Sequence, residues 1–161
     1  MKAREIMTPS PECCSASQSA QEVARVMRDC DCGAVPIVDD TSRAVIGIVT
    51  DRDLAIRVLA EGKAADSPIR DLMTPTPECC GADDDVRDVE NVMVSRQVRR
   101  VPIVDASGKC VGIVSQADIA RATLEDDGLT EREVAVVVER ISEPTPRRFE
   151  RGSTAQGERT L

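Results

Sequence analysis

The sequence contains no histidine, no tryptophan and no tyrosine, and Phe149 is the single phenylalanine among its 161 residues. The lack of aromatic rings argues against a stacking platform for single-stranded nucleic acid. With no histidine and no nucleophile–base constellation in the pattern, an enzyme is not expected. Positive charge is also scarce, with 21 Lys and Arg against 29 Asp and Glu and a net charge of −8. Nucleic-acid binding draws its affinity from basic clusters that release counterions, so no DNA partner is expected. The dense basic spots are Arg99-Arg100 and Arg147-Arg148, which leaves room for a local pocket for a small anion. No apolar run approaches the roughly 20 residues that cross a bilayer, and no signal-peptide pattern opens the chain. The expected setting is the cytoplasm, with no membrane partner.

Cysteine is plentiful, but not in the form of a disulfide framework. Its number, seven, is odd, and two of the pairs are adjacent in sequence, Cys13-Cys14 and Cys79-Cys80. In a reducing compartment these are thiols. Cys30 and Cys32 lie near the first pair in sequence, so a thiol or zinc site is one alternative. The chain has no CxxC and no histidine, and free cysteine is an ordinary small buried residue, so structural thiols and no metal are expected.

The chain also repeats itself. Met7-Thr8-Pro9-Ser10-Pro11-Glu12-Cys13-Cys14 returns as Met73-Thr74-Pro75-Thr76-Pro77-Glu78-Cys79-Cys80. Val35-Pro36-Ile37-Val38-Asp39 returns as Val101-Pro102-Ile103-Val104-Asp105, and Gly47-Ile48-Val49-Thr50 with Asp53 returns as Gly112-Ile113-Val114-Ser115 with Asp118. The three blocks keep their order, and their offset changes by one residue between the second and third. A unit of about 65 residues is long for a solenoid repeat and short for an independent domain. Two copies packed face to face bury what neither buries alone, and they create two related clefts.

Within a copy, an extended segment punctuated by Pro9 and Pro11 precedes a helix. Ala20, Val23, Ala24, Met27 and Cys30 fall on one face of that helix. Ser19 and Glu22 fit a capping box at its start, and Gly33 is its expected stop. Val35–Val38 reads as a short apolar strand, with Pro36 tolerated near its start or on an edge. Residues 44–50 read as a second, fully buried strand and 51–60 as a second helix. The second copy follows the same order, with Val86, Val89, Val92 and Met93 on one helical face. Beyond it, Thr130 and Glu133 fit a further capping box. Val134, Val137, Val138 and Ile141 form an apolar stripe that suits a terminal helix. From Arg147 the chain is polar and reads as disordered.

The third block admits two readings. Thr50 and Ser115 stand where a buried strand enters a helix, and Asp53 and Asp118 lie one turn in. A hydroxyl there suits a phosphate, and a carboxylate accepts two hydrogen bonds from vicinal ribose hydroxyls. Gly47 and Gly112 would let a flat base approach the strand backbone. Equally, Thr-x-x-Asp and Ser-x-x-Asp are near-matches to a capping box, which contributes roughly 1 kcal/mol to a helix start.

These blocks, three in order and twice over, resemble a pair of CBS domains, the tandem unit called a Bateman module. The resemblance covers about residues 4–124. It implies an α+β fold, an α/β sandwich of two pseudo-twofold-related repeats, each helix–strand–strand–helix behind an extended segment. It also implies two three-stranded sheets and two clefts at the interface of the copies. Repeat 1 is expected over 1–62, a linker over 63–72, repeat 2 over 73–127, a C-terminal helix over 128–143 and a disordered tail over 144–161.

The implied ligand is an adenosyl nucleotide, AMP, ADP or ATP, with S-adenosylmethionine a further member of the class. Carried onto matching positions, Asp53 and Asp118 would hold ribose, and Thr50 and Ser115 would contact phosphate. The backbones of Cys13, Cys14, Cys79 and Cys80 would border the base. The position before the Val-Pro strand often carries a basic residue for phosphate. Here the second copy has Arg99 and Arg100, where the first has Gly33 and Ala34, so two clefts of unequal charge are expected. The implied role is a regulatory sensor, commonly a homodimer, that signals to a regulated partner protein. A ligand-free assembly or scaffold domain is the alternative.

Overall fold

The computed structural model describes residues 1–125 and 131–142; the tail expected over 144–161 lies outside the described residues. The first copy runs through α1 (Ala3–Ile6), β1 (Thr8–Pro9), β2 (Cys14–Ser15), α2 (Ala20–Asp29), β3 (Ala34–Val38), β4 (Val45–Thr50) and α3 (Asp51–Leu54). After α3 the helix widens to π-helical geometry over Ala55–Ala60, and a 3₁₀ turn follows at Ile69–Asp71. The second copy comprises β5 (Thr74–Pro75), β6 (Cys80–Gly81), α4 (Val86–Arg96), β7 (Arg100–Val104), β8 (Cys110–Ser115) and α5 (Gln116–Glu125), and α6 (Glu131–Ile141) comes last. Helix, strand, strand, helix is therefore the order of each copy, as the repeats predict.

The elements begin where the local chemistry starts them. Ser19 caps α2, its hydroxyl accepting from the Glu22 amide at 3.3 Å while the Glu22 carboxylate accepts from the Ser19 amide at 2.7 Å. Ala20, Val23 and Met27 then face the core. The helix stops earlier than Gly33: Asp29 is its last residue, and Asp31 takes the left-handed region at φ 48°. In the second copy Gln97 ends α4 at φ 54°. A short polar side chain such as Asp tolerates that conformation, so no glycine is needed for the stop.

The sheets differ from the expected three strands. Each has four, in the orders β2-β3-β4-β5 and β1-β8-β7-β6. The central hairpins, β3 with β4 and β7 with β8, are antiparallel and belong to one copy each. The outer strand beside β4 is β5, from the second copy, and the outer strand beside β8 is β1, from the first. Pro36 and Pro102 sit inside β3 and β7, yet they avoid a central-strand conflict. The parallel neighbours β2 and β6 reach only Ile37–Val38 and Ile103–Val104, so at each proline the strand has a partner on one side only.

The exchange continues beyond the strands. The amide of Ala3 donates to the Asp84 carbonyl at 2.9 Å and that of Val86 to the Met1 carbonyl at 3.1 Å. In the other half, the Ala20 amide donates to Ser67 and the Ile69 amide to Gln18. Two separate cores result. One gathers Ala3 with Val86, Val89, Met93, Val101, Ile103, Val114 and Ile119; the other gathers Ile69 and Leu72 with Val23, Val35, Ile37 and Val49. Each copy thus completes its core with side chains that precede the other copy in sequence. The terminal helix α6 packs in cis on the second copy, placing Ile141 in the first of these cores with Val134 and Val137 against it.

The glycines of the third block serve this packing. A Cβ on Gly47 would stand 2.2 Å from Met73 Sδ, and one on Gly112 would stand 2.2 Å from Met7 Sδ. The space above each glycine is taken by a methionine of the other copy's leading segment. That corrects the expectation that it admits a flat ligand. Gly47→Ala and Gly112→Ala should each lower unfolding free energy by about 1–3 kcal/mol, the usual cost of overpacking, read from the midpoint of urea denaturation followed by circular dichroism.

Candidate functional site between the two copies

Each β-strand-to-helix turn is held by a reciprocal cap. The Thr50 hydroxyl accepts from the Asp53 amide at 3.1 Å, and Asp53 Oδ2 accepts from the Thr50 amide at 2.9 Å and the Thr50 hydroxyl at 2.7 Å. Ser115 and Asp118 repeat it, with 3.3, 2.7 and 2.6 Å for the same contacts. The second carboxylate oxygen is also engaged. Asp53 Oδ1 pairs with Arg57 at 3.2 Å, and Asp118 Oδ1 pairs with Arg121. These four side chains therefore form the reciprocal caps of the capping reading. A ribose would have to take Oδ1 from its arginine while Oδ2 kept the turn in place.

The arginines of the second copy resolve which carboxylate they serve. Arg99 and Arg100 line one cavity of about 560 Å³ together with Thr50, Asp51, Asp53 and Thr74. The cleft thus joins the β4–α3 turn of the first copy to the β7 entrance of the second. Arg100 reaches across the interface, and a Cβ on Gly33 would stand 3.1 Å from its Nη2 and 3.1 Å from Asp51 Oδ2. Gly33 is small where the guanidinium crosses. Among the described residues, the Arg99 and Arg100 side chains make no hydrogen bond or ion pair. Two unpaired cations beside a hydroxyl and a carboxylate form a polar end suited to an anionic ligand.

The cleft continues into a second space of about 490 Å³ lined by the Thr74–Glu78 segment, Val92, Val98 and Arg100. This end carries apolar side chains and extended backbone, the surroundings a flat base would meet. A third space, of about 410 Å³, connects Arg99 and Arg100 to Asp51 and to Ser115 in the second turn. Ser115 therefore stands next to the arginine pair as well, through its register opposite Arg100 in the sheet.

The cysteine pairs fall differently. Cys14 and Cys80 are buried, and burial foremost pushes their thiols up to about 11. They join β2 and β6 to the strands beside them, opposite Ile37 and Ile103. Cys13 and Cys79 are half-buried and donate to the Pro11 and Pro77 carbonyls at 3.4 Å. The lining beside the arginines comes from Thr74 through Glu78, so in that cleft the cysteine pair stands just beyond the part expected to border a base. Among the described residues, no three His, Cys, Asp or Glu side chains gather as a metal-binding group.

Asp51, Gln97, Val98, Ile141 and Ser142 also line the site and escape the repeat logic. Gln97 joins the site to the terminal helix, its amide donating to the Val94 and Arg140 carbonyls at 2.9 and 2.8 Å. The apolar stripe of α6 hinted at a packed helix, but nothing in it pointed to this cleft.

Two sheets completed by strand exchange, with a cleft between repeated strand-to-helix turns, define a CBS domain pair, and the chain belongs to the CBS domain family, whose profile matches residues 3–60 and 69–125. The chain is similar to hypoxic response protein 1 of Mycobacterium tuberculosis, 37% identical over 120 residues, covering 74% of this chain and 82% of that protein. A crystal structure of Hypoxic Response Protein I with two coordinated zinc ions superposes with a TM-score of 0.68 at 36% identity, covering 75% of this chain and 98% of that one. The CBS domain pair of protein MJ0100, in complex with 5′-methylthioadenosine and S-adenosyl-L-methionine, gives a TM-score of 0.71 at 28% identity, with coverages of 78% and 97%. CBSX2 in complex with AMP, an Arabidopsis thaliana CBS-pair protein, gives 0.65 at 26% identity, with coverages of 77% and 96%.

If the turns depend on the reciprocal caps, Thr50→Val and Ser115→Ala should each cost about 1 kcal/mol of stability. Thermal and urea unfolding of the ligand-free protein measure it, and unchanged midpoints would show that the caps are incidental.

Proposed function

We propose that the protein is a regulatory module that binds an adenosyl nucleotide, AMP, ADP or ATP, in the cleft shared by Thr50, Asp53, Arg99 and Arg100. The single observation that carries this reading is the pair of unpaired guanidiniums facing the β4–α3 turn across the copy interface. Ribose hydroxyls displace Arg57 from Asp53 Oδ1, phosphate lies between Thr50 and the two arginines, and the base extends along Thr74–Glu78. The related pair with 5′-methylthioadenosine and S-adenosyl-L-methionine and the related pair with AMP support an adenosyl ligand. The turn of Ser115 and Asp118 borders the same arginine pair and is the second site of this reading, taking S-adenosylmethionine or standing empty.

In this reading the protein has no catalysis of its own, needs no metal, and works in the cytoplasm through a regulated protein. Ligand and partner then alter each other's affinity by the same factor. The assembled form is a homodimer. Its contact face is the apolar groove between α2 and the α3 region, near Leu59 and Ile56, which are 80% and 45% exposed.

A specific observation favours the alternative of a ligand-free scaffold: both oxygens of both carboxylates are already engaged within the protein. Calorimetric titration with AMP, ATP and S-adenosylmethionine separates the two. Saturable binding is expected, and Arg100→Ala should weaken ATP more than AMP, by about 1.5–3 kcal/mol for a lost charged hydrogen bond. Asp53→Ala should weaken both, whereas Asp118→Ala should leave this cleft's affinity unchanged. Absence of saturable binding at millimolar ligand supports the scaffold.

A further inference from the structure

The two strand-to-helix turns are built alike but are not supplied alike with positive charge. The Gly33 carbonyl accepts from the Asp51 amide at 3.2 Å, and in the matching place the Arg99 carbonyl accepts from the Gln116 amide at 3.0 Å. Ala34 stands opposite Thr50 in its sheet as Arg100 stands opposite Ser115. Gly33 and Ala34 are therefore the structural counterparts of Arg99 and Arg100. One half of the module has two guanidiniums where the other has bare backbone and a methyl group.

The side chain of Arg100 does not stay in its own half. Its backbone is paired with Ser115, while its Nη2 lies 3.1 Å from the point where a Cβ on Gly33 would stand, with Asp51 Oδ2 equally close to that point. The guanidinium thus takes up space that a side chain at position 33 would need. Arg99 and Arg100 line both the cavity of the Thr50 turn and the space beside Ser115. The Thr50 turn has Arg52 as well. Among the described residues lining the space beside Ser115, Arg99 and Arg100 are the cations.

Given an adenosyl nucleotide in the cleft, as proposed above, we infer that Arg100 is a phosphate-binding cation shared by the two turns, so that the chain holds one phosphorylated nucleotide tightly and a second only weakly. A phosphate at the Thr50 turn keeps the guanidinium on the first copy's side and leaves the Ser115 turn without it. A second phosphate then meets a cation already engaged and a like charge across it, and both weaken its binding. By reciprocity, a phosphate at the Ser115 turn weakens binding at the Thr50 turn by the same factor. The small residue at 33 is what permits the sharing. Its backbone does not require glycine, since the described glycines with positive φ are Gly62 and Gly108. The groups nearest a Cβ there are the far ends of two flexible side chains, which can move aside. An arginine at 33 would give the Ser115 turn a cation of its own.

Calorimetric titration of the full chain with AMP tests this. Wild-type protein should take up one AMP per chain, with a second event absent or weaker by about tenfold or more, inside the usual range of coupling between sites. Gly33→Arg should strengthen the second event by about tenfold and bring uptake to two AMP per chain. Gly33→Gln, long but uncharged, should bind as wild type does. Arg100→Ala should weaken the first event and narrow the gap between the two. Circular dichroism of each variant checks that it is folded, and if Gly33→Arg is not, the wild-type and Arg100→Ala titrations decide. Two AMP bound with equal affinity by wild-type protein overturn the shared cation and leave the nucleotide cleft standing. So does a folded Gly33→Arg protein that binds as wild type does, an equal gain in Gly33→Gln, or a first event unchanged in Arg100→Ala. Absence of any AMP binding by wild-type protein overturns the nucleotide cleft and the shared cation together.

Discussion

The structure depends on one exchange: the segment that leads each copy forms its hydrogen bonds on the last strand of the other. Thr8–Pro9 closes the sheet of the second copy and Thr74–Pro75 closes that of the first. Without it, β4 and β8 would be open edges, with rows of unpaired amides and carbonyls. With it, the outermost strand is two residues long and contains a proline, which offers little to a further strand. The same segments carry Ala3 in one direction and Ile69 and Leu72 in the other, and these fill the cores. A unit of about 65 residues has too little interior to be comfortably stable by itself, and here neither unit has a whole interior of its own.

The exchange also places the cleft. Because Thr74–Pro75 lies beside β4, Thr74 borders the β4–α3 turn, and the extended residues that follow run back along β4, the Thr76 amide donating to the Ile46 carbonyl. The arginines at the start of β7 then face a carboxylate of the other copy. A charge and a carboxylate 46 residues or more apart in sequence become neighbours without any loop dedicated to bringing them together. The third space, reaching from Asp51 through Arg100 to Ser115, makes the two turns adjacent rather than independent. Arg100 lies between them, so an anion held by one turn changes the field felt by the other.

Much of this was legible in the sequence, for local reasons. Ser19-x-x-Glu22, Thr50-x-x-Asp53 and Ser115-x-x-Asp118 mark helix starts because the bonding lies within four residues, and all three form. The hairpin strands follow from their β-branched runs. What stayed hidden was non-local. A repeat reports that two units are alike but not that they trade their leading segments. So Gly47, whose neighbour is Met73 from the other copy's leader, resembled a place for a ligand. The helix stop moved to Asp31 because a left-handed residue, not specifically a glycine, ends the helix there, and Gly33 was small for the sake of Arg100. The partnership of Asp53 with the arginines needed the three-dimensional register and could not come from spacing.

The two halves differ most in what covers their helices. In the second copy α6 lies over α4 and α5, while among the described residues nothing covers the matching apolar groove between α2 and the α3 region of the first copy. This sets the valence of the molecule. A body with two similar adhesive faces on opposite sides can add copies indefinitely into a stack, whereas a body with one such face is saturated by a single encounter across a twofold axis. By covering one half with its own terminal helix, the chain leaves one such face among the described residues, so the proposed homodimer would close as a pair at that face.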